Sequence, residues 1–312
     1  MKAFLFPGQG SQTPGMGVGF MEDAATKHLF ELADETLGMN LSRLMREGPE
    51  DDLRLTHNAQ PALLVAGYAA AEYVRKATGK TLNDLVTYMA GHSLGEYTAV
   101  AAAGGVDLPT ALRMVRLRGE AMTRAVPAGQ GGMAAVMGLS NLNLAAFAKA
   151  SASQAQVFMA NDNAEGQMIL SGTLEGLAWG EELAKSLGAR KVIRLNVAGP
   201  FHTPAMKPAA AAVEAFLAEH PLKPLAVPVV MNATASVAQN VAEVERNLVA
   251  QITQPVRWRE SMVLLAEQGV TQVAELGVGK VLSGLAGRCD SRLAAVALES
   301  PKAVDGWLEQ LA

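Results

Sequence analysis

Short apolar runs and longer helical stripes take turns along the chain. Residues 2 to 6, "KAFLF", are one lysine followed by an apolar run ended by Pro7-Gly8, which predicts a strand. "QPALLVAGYAAAEYVRKA" at 60 to 77 has helical spacing, and "LVTYMA" at 85 to 90 predicts a second short strand. A helix then starts at Leu94 and is stopped by Gly104-Gly105. Asp107 and Pro109 open another that runs to about residue 126.

At 127 to 132 the chain reads "PAGQGG", a flexible joint. The order then changes: strand 133–139, helix 143–152, strands 156–161 and 167–172 around a turn at 162–166, helix 174–188 and strand 191–197. That β-α-β-β-α-β order is the ferredoxin-like pattern. After the break "AGPFH" the earlier style resumes, with helix 204–219, strand 227–233, helices 241–252 and 257–268, strand 271–277 and helix 280–288. The expectation is an α/β fold: a large domain with a parallel sheet, residues 1–128 and 198–312, interrupted by a ferredoxin-like α+β domain at 129–197.

Composition narrows the classes. Half of the 312 residues are hydrophobic but only 5% are aromatic, which favours alanine- and glycine-rich helices packed on a sheet. A net charge of -4 argues against a nucleic-acid partner. The single cysteine, Cys289, cannot close an internal disulfide and reads as a small buried residue, and no Cys/His cluster has zinc-ligand spacing, so no metal is expected. The apolar run at the start is too short for a signal peptide, and no run reaches the ~18 residues of a membrane span. These features predict a cytoplasmic protein without a membrane partner, and a monomer is the expected state.

"AGHSLGEY" at 90 to 97 carries the first candidate chemistry. Gly91-His92-Ser93-Leu94-Gly95, after a strand and before a helix, fits the G-x-S-x-G turn that lifts a serine hydroxyl clear of a sheet in α/β-hydrolase-like folds. It also fits a serine that merely caps a helix. A nucleophilic serine needs a base. Of the five histidines, His28 and His220 lie in charged helical stretches, His57 at a loop-to-helix junction, and His92 beside the serine on so tight a turn that pocket lining suits it better. His202, at the joint between the two domains, remains. No triad carboxylate is evident, so a backbone carbonyl or an amide is left to orient it.

In the helix after Asp107, Leu108, Ala111, Leu112, Val115, Met122 and Ala125 share one side, while Arg113, Arg116, Glu120 and Arg124 share the other. Arg118 falls within the apolar arc. An internal ion pair would explain it, and so would a fork held open for a ligand carboxylate. The loop "FPGQGSQTPG" matches neither a dinucleotide fingerprint nor a phosphate loop. Its free N–H groups beside a strand end suit an oxyanion hole.

Together these pieces resemble the malonyl-CoA:acyl carrier protein transacylases of fatty-acid synthesis and the acyltransferase domains of polyketide synthases. The matching stretches are "FPGQGSQ" at 6 to 12, "GHSLGE" at 91 to 96, "RLRGEAM" at 116 to 122, "GPFH" at 199 to 202, "QITQPVRW" from 251 and "ELGVGKVLSGL" from 275. The resemblance implies Ser93 as nucleophile, His202 as base leaning on a backbone carbonyl, and the N–H groups of Gln9 and Leu94 as the oxyanion hole. It implies Arg118 as the binder of the malonyl carboxylate, Gln251 as a residue that orders the site, His92 and Asn161 as pocket lining, and Phe201 as a ring that crowds a 2-methyl branch. Val278 departs from the proline usual in "GPGK" of this family. No bound cofactor is implied; the substrates would be malonyl-CoA and the phosphopantetheine thiol of an acyl carrier protein, in ping-pong order. An acidic carrier would need a basic patch, for which Lys185, Arg190, Lys191 and Arg194 are the candidates. A polyketide or malonate-decarboxylating carrier, or hydrolysis by a thioesterase, are the alternatives.

Overall fold

Ten strands in two sheets carry the fold among the residues described in the computed structural model, 1–151 and 156–310. They are β1 (Lys2–Phe6), β2 (Tyr88–Gly91), β3 (Gly131–Met137), β4 (Val157–Ala164), β5 (Gln167–Thr173), β6 (Lys191–Leu195), β7 (Val229–Met231), β8 (Ser236–Val237), β9 (Gln272–Leu276) and β10 (Ala294–Leu298). The first sheet runs β10-β9-β1-β2-β7-β8 and is parallel except for the short β8 at its edge. The second runs β4-β5-β3-β6 and is antiparallel throughout.

β1 explains why the first sheet needs helices on both faces. Ala3, Phe4, Leu5 and Phe6 are all fully buried, as central parallel strands are. Phe4 and Phe6 point into the larger core, with the helices Thr56–Thr78 and Leu108–Arg124. Ala3 and Leu5 point the other way, with Ala90 and Val230, onto Trp258, Met262 and Leu285. The antiparallel sheet has its own core around Phe147, Leu170 and Leu177.

One tie between the two sheets runs through the main chain. β4 continues its ladder onto the chain before the helix Trp258–Glu267: Val256 N–H donates to the Ala160 carbonyl at 2.8 Å, and Asp162 N–H donates to the Val256 carbonyl at 3.0 Å. Arg259 then clamps the buried Asp162 carboxylate, with Nη2 2.7 Å and Nε 3.0 Å from its oxygens. Residues 162 to 164, expected in a turn, therefore belong to β4, and the hairpin turn shrinks to Glu165-Gly166.

Other expectations move at their edges. Leu85 closes a short helix, Leu82–Leu85, begun by a capping box between Thr81 and Asp84, so the strand expected from 85 starts at Tyr88. The strand expected over 227–233 narrows to Val229–Met231, and the helix expected from 204 begins as a 3-10 turn, Pro204–Met206, before Lys207–Glu219. The helix expected over 143–152 spans Asn141–Ser151, its expected last residue lying outside the described residues. Four helices between residues 18 and 54, the strands β8 and β10 and the helix Pro301–Glu309 complete the described elements without a sequence expectation behind them. No helix among the described residues is long and apolar enough to cross a membrane.

Asp162→Ala should lower stability by about 1.5 kcal/mol, because it removes the buried half of a bidentate pair whose guanidinium keeps part of its contact with water. Denaturant unfolding of both proteins measures this, and a change below about 0.5 kcal/mol would show that the clamp is not what ties the sheets.

Candidate active site

The turn from β2 into the helix Leu94–Ala102 is built on two close approaches. A Cβ on Gly91 would stand 1.9 Å from the Gly95 backbone, and one on Gly95 would stand 1.9 Å from the Phe6 carbonyl oxygen. Any side chain at either place would force β1, β2 and the helix apart. Between them Ser93 takes φ 51° and ψ -104°, a conformation that L-residues rarely adopt. Ser93 occupies the capping position of that helix, but its hydroxyl makes no capping bond. It points instead into a cleft of about 530 Å³ between the two sheets.

His202 meets it there, also at positive φ, 58°. Its Nε2 lies 2.9 Å from Ser93 Oγ and its Nδ1 lies 2.7 Å from the Gln251 carbonyl oxygen. A carbonyl can only accept, so Nδ1 carries the proton and Nε2 presents its lone pair to the hydroxyl. Burial, and next the charge of Arg118, push the His202 pKa down to about 3, so the ring is neutral. The open question of what orients the imidazole is answered by a backbone oxygen.

Arg118 lies on the floor of the same cleft, 1% exposed. Nη1 donates to Gln60 Oε1 at 2.8 Å, and Nη2 donates to Gln251 Oε1 at 2.9 Å and to Ser93 Oγ at 3.1 Å. The guanidinium also stands 4.9 Å from the centre of the Tyr97 ring. Its hydrogen-bond partners are amides and a hydroxyl rather than carboxylates, which removes the internal ion pair as its explanation. Its Nε has no hydrogen-bond partner among the described residues. Burial lowers its pKa from the usual arginine value, the sign of a charge kept with little solvent.

The remaining candidates divide. Gln9, Leu94, His92, Asn161 and Phe201 line the cleft. The N–H groups of Gln9 and Leu94 make no hydrogen bond among the described residues. Gln251 binds the turn from below, its Nε2 donating to the Ser93 carbonyl at 2.8 Å. His92 turns away from the serine: Nε2 donates to Asn163 Oδ1 at 2.8 Å, and the ring tilts on Trp258. Asn163 lines the cleft too and was hidden in a stretch that reads as a turn. Lys185, Arg190, Lys191 and Arg194 stand outside the cleft. Lys185 pairs with Glu182 at 2.6 Å and Arg194 with Glu181 at 2.7 Å, so half of the expected basic patch is spent on neighbouring glutamates. Among the described residues no cluster of side chains could hold a metal ion.

Chemically, the arrangement offers a hydroxyl with a neutral base, two free N–H groups nearby and a buried cation within hydrogen-bond reach of the same hydroxyl. The sequence profile of the acyl transferase domain matches residues 3–283. The malonyl CoA-acyl carrier protein transacylase of Bacillus subtilis is 44% identical over 311 residues, covering 99% of this chain and 96% of that protein. The solved acyl-carrier-protein-S-malonyltransferase of Bartonella henselae superposes with a TM-score of 0.94 at 37% identity, covering 99% of each chain. A malonyl-transacylase solved in complex with a type II polyketide acyl-carrier protein superposes with a TM-score of 0.93 at 37% identity, again covering 99% of each chain. The chain belongs to the acyl transferase domain family.

Proposed function

We propose that this chain moves a malonyl group from malonyl-CoA to the phosphopantetheine thiol of an acyl carrier protein, through a malonyl ester of Ser93, in fatty-acid synthesis. The observation that carries the reading is Arg118: a buried guanidinium without a carboxylate partner, 3.1 Å from a hydroxyl that also faces a neutral histidine. We read the chain as an α/β-hydrolase-like unit, 1–128 and 198–312, with a ferredoxin-like unit at 129–197 inserted. The tight strand-to-helix turn and the β4-β5-β3-β6 order support that description.

In the first half-reaction His202 Nε2 takes the Ser93 proton as Oγ attacks the thioester carbonyl. The oxyanion is held by the N–H groups of Gln9 and Leu94, at the N-terminal end of a helix. As the tetrahedral centre collapses the C–S bond breaks, and the thiolate of coenzyme A leaves with the proton from His202. The second half repeats the steps with the carrier's thiol as nucleophile and Ser93 Oγ as leaving group. Arg118 would exchange its amide partners for the malonyl carboxylate, a bidentate match. Phe201, buried beside His202, would crowd a branch at carbon 2. A second reading keeps the chemistry and changes the carrier to one of a polyketide synthase, favoured by the solved transacylase–carrier complex. Carrier docking would fall to the basic residues of β6 and its approach. Arg190 and Lys191 are the stronger candidates, since Lys185 and Arg194 already face glutamates.

Intact-mass measurement after mixing with malonyl-CoA should show one malonyl adduct, absent in Ser93→Ala. Arg118→Ala should lose roughly 100-fold in preference for malonyl- over acetyl-CoA, the size expected for losing a buried ion pair. Release of free malonate without an adduct would overturn the transfer reading in favour of hydrolysis.

Because His202 is neutral down to about pH 3, kcat/KM for malonyl-CoA should lack a protonation step near the ordinary histidine value of about 6.5. A depressed base is active above its pKa, so the acid limb moves to lower pH. A pH series from 5 to 8 checks this, and a limb centred near 6.5 would show that the free-enzyme histidine is not held neutral.

Reversing Arg190 and Lys191 to glutamate should raise KM for the carrier about tenfold and leave malonylation of Ser93 unchanged. Equal losses in both half-reactions would place these residues elsewhere than in docking.

A further inference from the structure

Asn232 is fully buried at the end of β7, and its backbone and side-chain polar groups all have partners. Its Oδ1 accepts the N–H of Ser93 at 2.7 Å, and its Nδ2 donates to the Gly91 carbonyl at 2.7 Å. One amide thus spans the turn from the residue before His92 to the nucleophile itself. Its own N–H donates to Glu96 Oε2 at 2.5 Å, and its carbonyl accepts the N–H of Arg257 at 3.0 Å. Glu96 is also fully buried and sits in the first turn of the helix that Ser93 begins. The helix therefore grips Asn232 and Asn232 grips the turn, a closed loop of contacts between residues far apart in sequence.

The consequence concerns which N–H faces the substrate. Two consecutive amides, those of Ser93 and Leu94, are available at the turn. Asn232 occupies the first and leaves the second free. It also holds Ser93 at a positive φ that the serine would leave if released, since such conformations persist only where the surroundings over-determine them.

We propose that Asn232, fixed by Glu96, is a positioning residue for the acyl-transfer reaction. It locks the nucleophile turn in the strained geometry that aims Ser93 Oγ at His202 and reserves the Leu94 N–H for the oxyanion. This rests on the reading of Ser93 as the acylated nucleophile. Glu96 acts through its oxygen as an acceptor, so its charge is dispensable. No bond is made or broken by either residue.

The test is single-turnover malonylation of Ser93, followed by mass, for wild type, Asn232→Ala, Glu96→Ala, Glu96→Gln and the Asn232→Ala/Glu96→Ala double variant. Asn232→Ala should slow acylation about 100-fold, comparable to losing an oxyanion donor. The malonyl-CoA concentration giving half-maximal rate should shift less than about threefold, and the preference for malonyl over acetyl should stay, because Arg118 is untouched. Glu96→Ala should share the defect, Glu96→Gln should restore most of the rate, and the double variant should be no slower than Asn232→Ala. Acylation by Asn232→Ala within about threefold of wild type would overturn the proposal. So would a Glu96→Gln protein as slow as Glu96→Ala, which would assign Glu96 to charge balance with Arg118. If Asn232→Ala does not fold, the two Glu96 variants decide by the same criterion. A wild-type protein that is never malonylated would instead overturn the reading of Ser93, a result distinct from these.

Discussion

The site depends on how closely a helix can start against a strand. Gly95 brings the first turn of the helix Leu94–Ala102 so near β1 that the Phe6 carbonyl occupies the space of a side chain. That approach sets the height of Ser93 over the sheet, and with it the distances to His202 and Arg118. A methyl group at position 95 would overlap the Phe6 carbonyl oxygen, and making room for it would move Ser93 by more than hydrogen bonds to its neighbours could tolerate. The strain at Ser93 follows from the same constraint. A chain leaving β2 that must pass under its own next turn has no relaxed conformation for the residue at the apex. The surrounding amides of Asn232 and Gln251 hold it there.

Burial sets the electrostatics. Arg118, Glu96 and His202 are each at most 4% exposed and lie in one neighbourhood. Desolvation disfavours the charged form of each, which raises the Glu96 pKa to about 8 and lowers that of His202 to about 3. Burial thus works against charge on Glu96 and His202 alike, and Arg118 is the group of the three that keeps its charge at neutral pH. A lone buried cation held by amides is costly in isolation, so its presence is better explained by what it binds than by what it stabilises.

Much of the site could be read from the sequence because its signals are local. A serine between two glycines after an apolar run, and an arginine within the apolar arc of a helix, are visible in a window of a few residues. Asn232 was not visible. It ends an ordinary strand, and its role comes from Ser93 and Gly91, more than a hundred residues earlier in the chain. Asn163 was hidden for a different reason. Asp, Asn and Gly in "DNAEG" are turn formers by local chemistry, but Val256 continues the ladder and keeps the first two extended, leaving the turn to Glu165-Gly166. In the fold, the alternation of strands and helices was legible in outline, while the helices between residues 18 and 54 run from five to eleven residues, too short for a period to declare itself. The run "LVTYMA" failed at its first three residues, although the Thr81–Asp84 capping box just before it marked a helix there.

Arg118 and His202 place opposite demands on the same volume. His202 must be neutral if it is to take a proton, and burial first and the guanidinium beside it second keep it so. A base with a pKa near 3, however, is a weak one. A carboxylate seated on Arg118 would cancel most of that cation's field and so lift the second of the two effects that depress the His202 pKa, burial being the first and remaining in place. The same carboxylate would draw Nη2 away from Ser93 Oγ, freeing a lone pair of that oxygen. A ligand that brings a carboxylate would thus strengthen both the base and the nucleophile, whereas one without it would meet a feeble base and a hydroxyl still tied to arginine. Selectivity in such a site would not rest on affinity alone, because the charge that is recognised also tunes the groups that react.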